Sequence, residues 1–202
     1  VLPTASPEAA QRTILRLAAS RIPAAYDLDR AEDIQVLCPT NKGGVGVEAF
    51  NAKLQHAYQR NQPAFYGANG RRYCVGDRVM QMRNDYERNV FNGDVGFVVD
   101  LDEDSVTVDF DGASKRYKRY DTRMLQLAYA MTIHKSQGAE FSAVVIPVFR
   151  SRVLTRKLLY TAITRARRLC IVVGRPEEIR RAVRESSRSR WTRLAERIAG
   201  TP

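Results

Sequence analysis

Residues 124–148 read MLQLAYAMTIHKSQGAEFSAVVIPV, from Met124 to Val148. Two apolar runs, MLQLAYAMT and AVVIPV (Ala143–Val148), flank a polar stretch, TIHKSQGAEF from Thr132 to Phe141. Each run is short and carries no charge, which suits a strand buried on both faces. Connections that leave the ends of such parallel strands are where α/β sheets hold their ligands. The pattern therefore predicts an α/β fold with a ligand-facing loop between two core strands.

The flanking sequence extends that reading. Upstream, IQVLC (Ile34–Cys38) is a further apolar run stopped by Pro39. The glycine-rich loop TNKGGVG follows, and Val47, Phe50, Leu54 and Tyr58 then mark one face of a helix. Strand, glycine loop and helix open an α/β layer. Earlier still, Ser6-Pro7-Glu8 is a helix start, with Ile14, Leu15, Ala18 and Ile22 recurring at helical spacing up to Pro23. Downstream, VLTRKLLYTAITRARR (Val153–Arg168) is predicted helical, LCIVV (Leu169–Val173) a third core strand, and GRPEEIRRAV a helix with proline in its first turn. SSRSR near Ser186 is expected to be a loop before a last helix, in which Trp191, Leu194 and Ile198 pack.

Between Arg72 and Tyr120 the character differs. Runs of β-formers (RYCV, RVMQM, VGFVV, SVTVDF, KRYKRY) are separated by Gly76-Asp77, Asn92-Gly93 and Asp111-Gly112, which are hairpin signals. They predict a small antiparallel barrel inserted into the α/β domain. The expected division is 1–66 and 124–202 for the two parts of the α/β domain, with the barrel at 67–123.

The chain has 202 residues, 44% hydrophobic and 27% charged, which is enough to bury a core and excludes a disordered or fibrous chain. Its net charge of +11 is uneven: the segment from Arg150 to Pro202 holds 15 basic and 4 acidic residues, while the rest balances. Such a footprint suits a polyanion, and equally a solvated arginine-rich helix face. Cys38, Cys74 and Cys170 are widely spaced and fit a reducing, cytoplasmic compartment without a disulfide framework or zinc site. No run approaches the ~18 apolar residues of a spanning helix, so no membrane partner is expected. His56 has no second ligand at metal spacing and is expected on the surface or in packing.

Two stretches can carry chemistry. In TIHKSQGAEF, Thr132, His134, Lys135 and Ser136 can donate to phosphates, Gly138 permits close backbone approach, and Glu140 can accept from a sugar hydroxyl. In LYTAITRARR (Leu159–Arg168), Arg165 can leave its helix and stabilise charge on a transferring phosphoryl group. Alone, each has a plainer reading: a polar connection, and a solvated face of Arg165, Arg167 and Arg168. Tyr117, Lys118 and Tyr120, in KRYKRY, alternate base and aromatic as single-strand grooves do, or are an ordinary barrel strand with a charged outer face.

Together, in this order and with AVVIPV between them, the two stretches resemble motifs V and VI of superfamily 1 helicases of the RecD/TraA branch. IQVLCPTNKGGVGVEAFN resembles that branch's motif IV region, and GDRVMQMRNDYERNVFNGDVGFV its inserted Src-homology-3-like barrel. The resemblance implies the second RecA-like (P-loop NTPase-type) domain of an ATP-dependent DNA helicase with roles in repair, recombination or conjugation. It implies ATP with Mg2+ as ligands, single-stranded DNA as partner and 5′ to 3′ movement. By position, Arg165 matches the arginine finger, Gly138 and Glu140 the ribose side, and Lys42 a basic residue near the γ-phosphate. Thr132, His134, Lys135 and Ser136 match residues that contact the strand or couple it to the nucleotide.

No GxxxxGK[ST] phosphate loop is present, because Lys42-Gly43-Gly44-Val45-Gly46 has the wrong order. Asp102-Glu103 falls between barrel strands and is predicted to be a turn rather than a magnesium site. Family members carry both elements in an N-terminal RecA-like domain, so the chain is expected to begin downstream of one and to hydrolyse no ATP alone. The rival reading is a non-catalytic nucleic-acid-binding module whose helicase-like loops serve only as scaffold.

Overall fold

The computed structural model describes residues 1–151 and 153–185. The loop near Ser186 and the helix around Trp191, Leu194 and Ile198 lie outside these. In chain order the elements begin with β1 (Leu2–Pro3), α1 (Pro7–Arg16), α2 (Ile22–Tyr26), β2 (Ile34–Cys38) and α3 (Val47–Tyr58). There follow β3 (Phe65–Tyr66), β4 (Arg72–Tyr73), β5 (Arg78–Gln81), β6 (Val95–Leu101), β7 (Ser105–Phe110), β8 (Ala113–Lys118) and β9 (Leu125–Leu127). The last are β10 (Ala130–Thr132), β11 (Phe141–Val148), α4 (Arg156–Ile163), β12 (Ala166–Gly174) and α5 (Pro176–Arg184).

One sheet has the order β1-β12-β11-β2-β10, with every pair parallel. The central runs of its strands are largely apolar because both faces are covered. Ala10 and Ile14 of α1 with Phe50 and Leu54 of α3 pack on Val36, Ala143 and Val145 on one side. On the other side, Leu158, Leu159 and Ala162 of α4 with Ala182 of α5 pack on Leu37, Val144 and Ile146. This is a three-layer RecA-like sheet. The second sheet, β8-β7-β6-β5-β9, is antiparallel and barrel-like, with its own core of Tyr73, Val79, Val98, Val106, Val108, Tyr117 and Leu125. Its β7–β8 hairpin turns on Asp111 (φ 50°) and Gly112 (φ 87°), the left-handed pair that a two-residue turn of this hand requires.

Three expectations are corrected. MLQLAYAMT is two strands: β9 pairs with β5 in the antiparallel sheet, whereas β10 pairs with β2 in the parallel one. Both strands are at least half-buried and belong to one uncharged run, so the apolar pattern does not mark the change of sheet. The junction is held by polar side chains instead. Asn51 Nδ2 donates to the carbonyls of Leu127 and Ala130, its Oδ1 accepts from the Ala130 N–H, and Gln35 Nε2 donates to the carbonyls of Ala128 and Tyr129. Second, the helix predicted to Arg168 ends at Ile163, and Ala166–Arg168 open β12, because pairing of Phe141 with Ala166 draws them into the sheet. Third, the first helix does not stop at Pro23. A π-turn at Leu17–Arg21 lets the chain continue to Tyr26, with Pro23 in a first turn where its missing N–H is not needed.

Candidate functional site

Strand direction gives the parallel sheet two edges. Thr132 is level with Cys38 at the carboxyl ends of β10 and β2, whereas Ala143 is level with Ile34 at the amino end. The connection Ile133–Glu140 therefore descends the length of β2, roughly 13 Å at 3.3 Å per residue. It crosses on the α4 side, where Ile133 and Phe141 are buried with Leu37.

At the carboxyl edge the connection begins with a tight turn. Thr132 Oγ1 accepts from the Lys135 N–H at 3.3 Å, and the Thr132 carbonyl accepts from the Ser136 N–H at 3.2 Å. His134 and Lys135 project to solvent. Lys135 Nζ lies 3.0 Å from Sδ of Met82, just beyond β5, and loss of water there lowers its pKa. The loop after β2 meets this turn: Asn41 lines a crevice with Met80, Thr132 and Lys135. Lys42, next in sequence, is exposed at the same edge.

The amino edge holds the other group. Gly138 has φ 88° with open space where a Cβ would stand, so its demand for glycine is conformational rather than steric. Arg165 follows the α4 C-cap, Thr164. Its Nε donates to the Thr161 carbonyl (3.2 Å), Nη1 to the Ala139 carbonyl (3.2 Å) and Nη2 to Thr164 Oγ1 (3.3 Å). Three neutral acceptors orient the guanidinium, and among the described residues no carboxylate pairs with it. Glu140 is exposed and paired with Arg167 at 2.9 Å. The structure thus joins Gly138, Glu140 and Arg165 at one edge, and at the other places Thr132, His134 and Lys135 next to the loop that carries Lys42.

Lys42, in the loop after β2, stands at the edge opposite Arg165. Ser136 is fully buried and its hydroxyl donates to the Ile133 carbonyl at 2.9 Å, so it braces the turn instead of facing a phosphate. Tyr117 is fully buried too. Its hydroxyl donates to Gln81 Oε1 at 3.1 Å and the Arg88 guanidinium lies 5.0 Å from its ring, so no base can stack there. Lys118 is exposed on β8, and Tyr120 is exposed beneath the Arg123 guanidinium. Asp102-Glu103 form the β6–β7 turn as expected. His56 is exposed, lining with Arg60, Tyr66 and Arg72 a hollow of about 550 Å³ that none of the residues named above at the two sheet edges lines. Among the described residues no three His, Cys, Asp or Glu side chains are grouped to hold a metal. Among them also, no helix is long and apolar enough to cross a membrane.

Among the buried polar residues that the sequence did not mark are Gln35, Asn51, Asp77 and Arg78. Gln35 had a signal, a polar residue within an all-buried strand. Asp77 had none, since Gly76-Asp77 has the look of an ordinary turn. In fact its carboxylate accepts from the Cys74 N–H (2.8 Å), Gln55 Nε2 (2.5 Å) and the Tyr129 hydroxyl (2.8 Å), joining barrel, α3 and the strand junction.

Comparison with known proteins agrees with this architecture. Residues 50–110 match the family of the ATP-dependent RecD-like DNA helicase SH3 domain, and residues 127–173 the UvrD-like helicase C-terminal domain. The chain is 36% identical to the ATP-dependent RecD2 DNA helicase of Deinococcus radiodurans over 82% of its own length and 23% of that protein's. The chain belongs to the RecD-like helicases. A second relative of this RecD-like chain, the RecBCD enzyme subunit RecD of Mycolicibacterium smegmatis, is 34% identical over 84% of the chain and 30% of the relative. The chain thus spans under a third of the length of these relatives. Among solved structures, a Bacteroides Pif1 helicase in complex with ADP-AlF3 and ssDNA superposes with a TM-score of 0.53 at 26% identity, covering 84% of this chain and 45% of that one. The Pif1 helicase of Candida albicans shares the fold alone, with a TM-score of 0.55 at 17% identity over 98% of this chain and 60% of that one.

Proposed function

We propose that this RecD-like region is the second motor domain of an ATP-dependent DNA helicase, divided at 1–66, 67–123 and 124–202 into motor, barrel and motor. The observation that carries this reading is the single connection from Thr132 to Phe141. One end bears exposed His134 and Lys135 beside Lys42, suited to the phosphates of a single strand. The other end bears Gly138 and Glu140, and its Ala139 carbonyl accepts from the Arg165 guanidinium. A strand gripped at one edge and a nucleotide at the other are then linked by ten residues of chain.

Arg165 is the arginine finger of this reading. ATP binds in the cleft between this domain and an N-terminal RecA-like domain of the same full-length protein. That domain contributes the phosphate loop and the carboxylates for Mg2+. Closure brings the guanidinium to the γ-phosphate, where it stabilises the charge that develops during transfer. Glu140 exchanges Arg167 for a ribose hydroxyl. Alternate closing and opening moves the carboxyl edge along the DNA. On this reading the 202-residue chain alone hydrolyses no ATP.

The test is single-stranded-DNA-stimulated ATP hydrolysis by the full-length protein with Arg165→Ala. A loss of about a thousandfold or more in turnover, with folding and DNA binding retained, is expected. Unchanged turnover would leave a nucleic-acid-binding module in place of a motor half.

A further inference from the structure

Arg78 opens β5, yet its side chain leaves the barrel. Its neighbour Val79 lies in the barrel core, whereas the Arg78 side chain, 7% exposed, crosses to the parallel sheet. Nη1 donates to the carbonyls of Ala31 (3.0 Å) and Glu32 (3.3 Å), in the turn that leads into β2. The guanidinium lies 5.5 Å from the centroid of the Phe141 ring. Nε is buried without a partner. Burial lowers its pKa to about 10, which leaves it charged at neutral pH. An apolar residue of equal length would fill this space without desolvating a charge, so packing alone does not account for an arginine here.

What the guanidinium touches is the amino edge described above. The Phe141 N–H donates to the Arg165 carbonyl at 2.9 Å, and the residues before Phe141 are Glu140 and Ala139, the latter an acceptor for the Arg165 side chain. On its other flank, the Ser142 hydroxyl donates at 2.6 Å to Asp33, which follows the Glu32 carbonyl held by Arg78. One side chain from the barrel therefore grips both the turn before β2 and the first residue of β11. At the other end of β5, Met82 meets Lys135 at the carboxyl edge.

We propose that Arg78 is a positioning residue for Arg165: through the Phe141 ring it fixes the segment 139–141 to which Arg165 is bonded, and makes the barrel a brace for the nucleotide edge. The inference rests on the reading of Arg165 as the finger. It separates Arg78 from residues that only stabilise the barrel, because it requires the effect of Arg78 to pass through Arg165.

The experiment is a double-mutant cycle on the full-length protein, read as single-strand-stimulated ATP turnover, with ATP KM and affinity for an oligothymidylate measured alongside. Arg78→Met is expected to lower kcat about tenfold, with KM and DNA affinity within about twofold of wild type. Arg78→Lys, which keeps the charge but loses the fork, is expected to recover part of that loss. In an Arg165→Ala background, followed by single-turnover assay, Arg78→Met is expected to change the residual rate less than about twofold. A tenfold loss repeated in that background, or an unchanged kcat in the single variant, overturns the role of Arg78 and leaves that of Arg165 intact. Full turnover in Arg165→Ala overturns the finger assignment and this inference with it. If Arg78→Met does not fold, Phe141→Leu removes the ring face while keeping the arginine. The same non-additive loss is then expected, and unchanged turnover overturns the proposal.

Discussion

Asp77 sets the strongest demand on a single side chain. Burial pushes its pKa up, although the Cys74 N–H, the Tyr129 hydroxyl and Gln55 Nε2 all donate to it. Asp77→Ala strands these three buried donors and is expected to cost about 2–4 kcal/mol in urea unfolding. The sign of the pH effect follows from the raised pKa. The carboxylate is favoured less in the folded chain than in the unfolded one, so its contribution is greatest below the ordinary carboxylate value of 3.8 and is lost as pH rises through the folded pKa. Asp77→Asn does not titrate. The difference in unfolding free energy between wild type and Asp77→Asn is expected to move in favour of wild type as pH falls from neutral towards that value, and a flat difference would contradict it. None of this was legible in Gly76-Asp77, because a turn carboxylate and a buried acceptor have the same local sequence. The place of Arg165 just after the α4 C-cap was not legible either, since the apolar spacing carried the helix on to Arg168 and only the pairing of Phe141 with Ala166 ends it earlier. For Tyr117 the second of the two readings holds, the barrel strand with a charged outer face, because alternation of basic and aromatic residues describes both a stacking platform and a strand with one buried face.

Among the elements, the junction of β9 and β10 decides how barrel and parallel sheet are joined. Helix α3 followed from apolar spacing alone: Val47, Phe50, Leu54 and Tyr58 predicted it, and all four are buried. The junction did not, because its hydrogen bonds come from Gln35 and Asn51, which are 93 and 76 residues away from the carbonyls they hold at Ala128 and Leu127. Asn51→Ala leaves the Leu127 and Ala130 carbonyls and the Ala130 N–H without those bonds in a buried site. The expected cost is about 2–4 kcal/mol. Hydrogen exchange locates it: protection of the Ala130 N–H should fall well before that of Val144 or Val145 in β11. Equal loss at both positions would mean that the junction unfolds only with the whole sheet.

Over the whole molecule, the proposed function divides the work between the two sheet edges. If Lys42 and Lys135 each neutralise one phosphate, the logarithm of single-strand affinity against logarithm of salt should flatten by about 0.7 for each lysine replaced by alanine. Lys118→Ala is a control from the other sheet, and an equal flattening there would move the strand's path onto the barrel. The outer strands have a consequence of another kind. The parallel sheet ends in β1 and β10, of two and three residues, so a neighbouring copy finds almost no ladder to extend. The barrel-like sheet ends in the six-residue β8, which carries Lys115, Arg116 and Lys118. Two such strands laid side by side would bring six cations together. The basic run that resembled a nucleic-acid groove therefore also guards a sheet edge, discouraging the chains from polymerising through their strands.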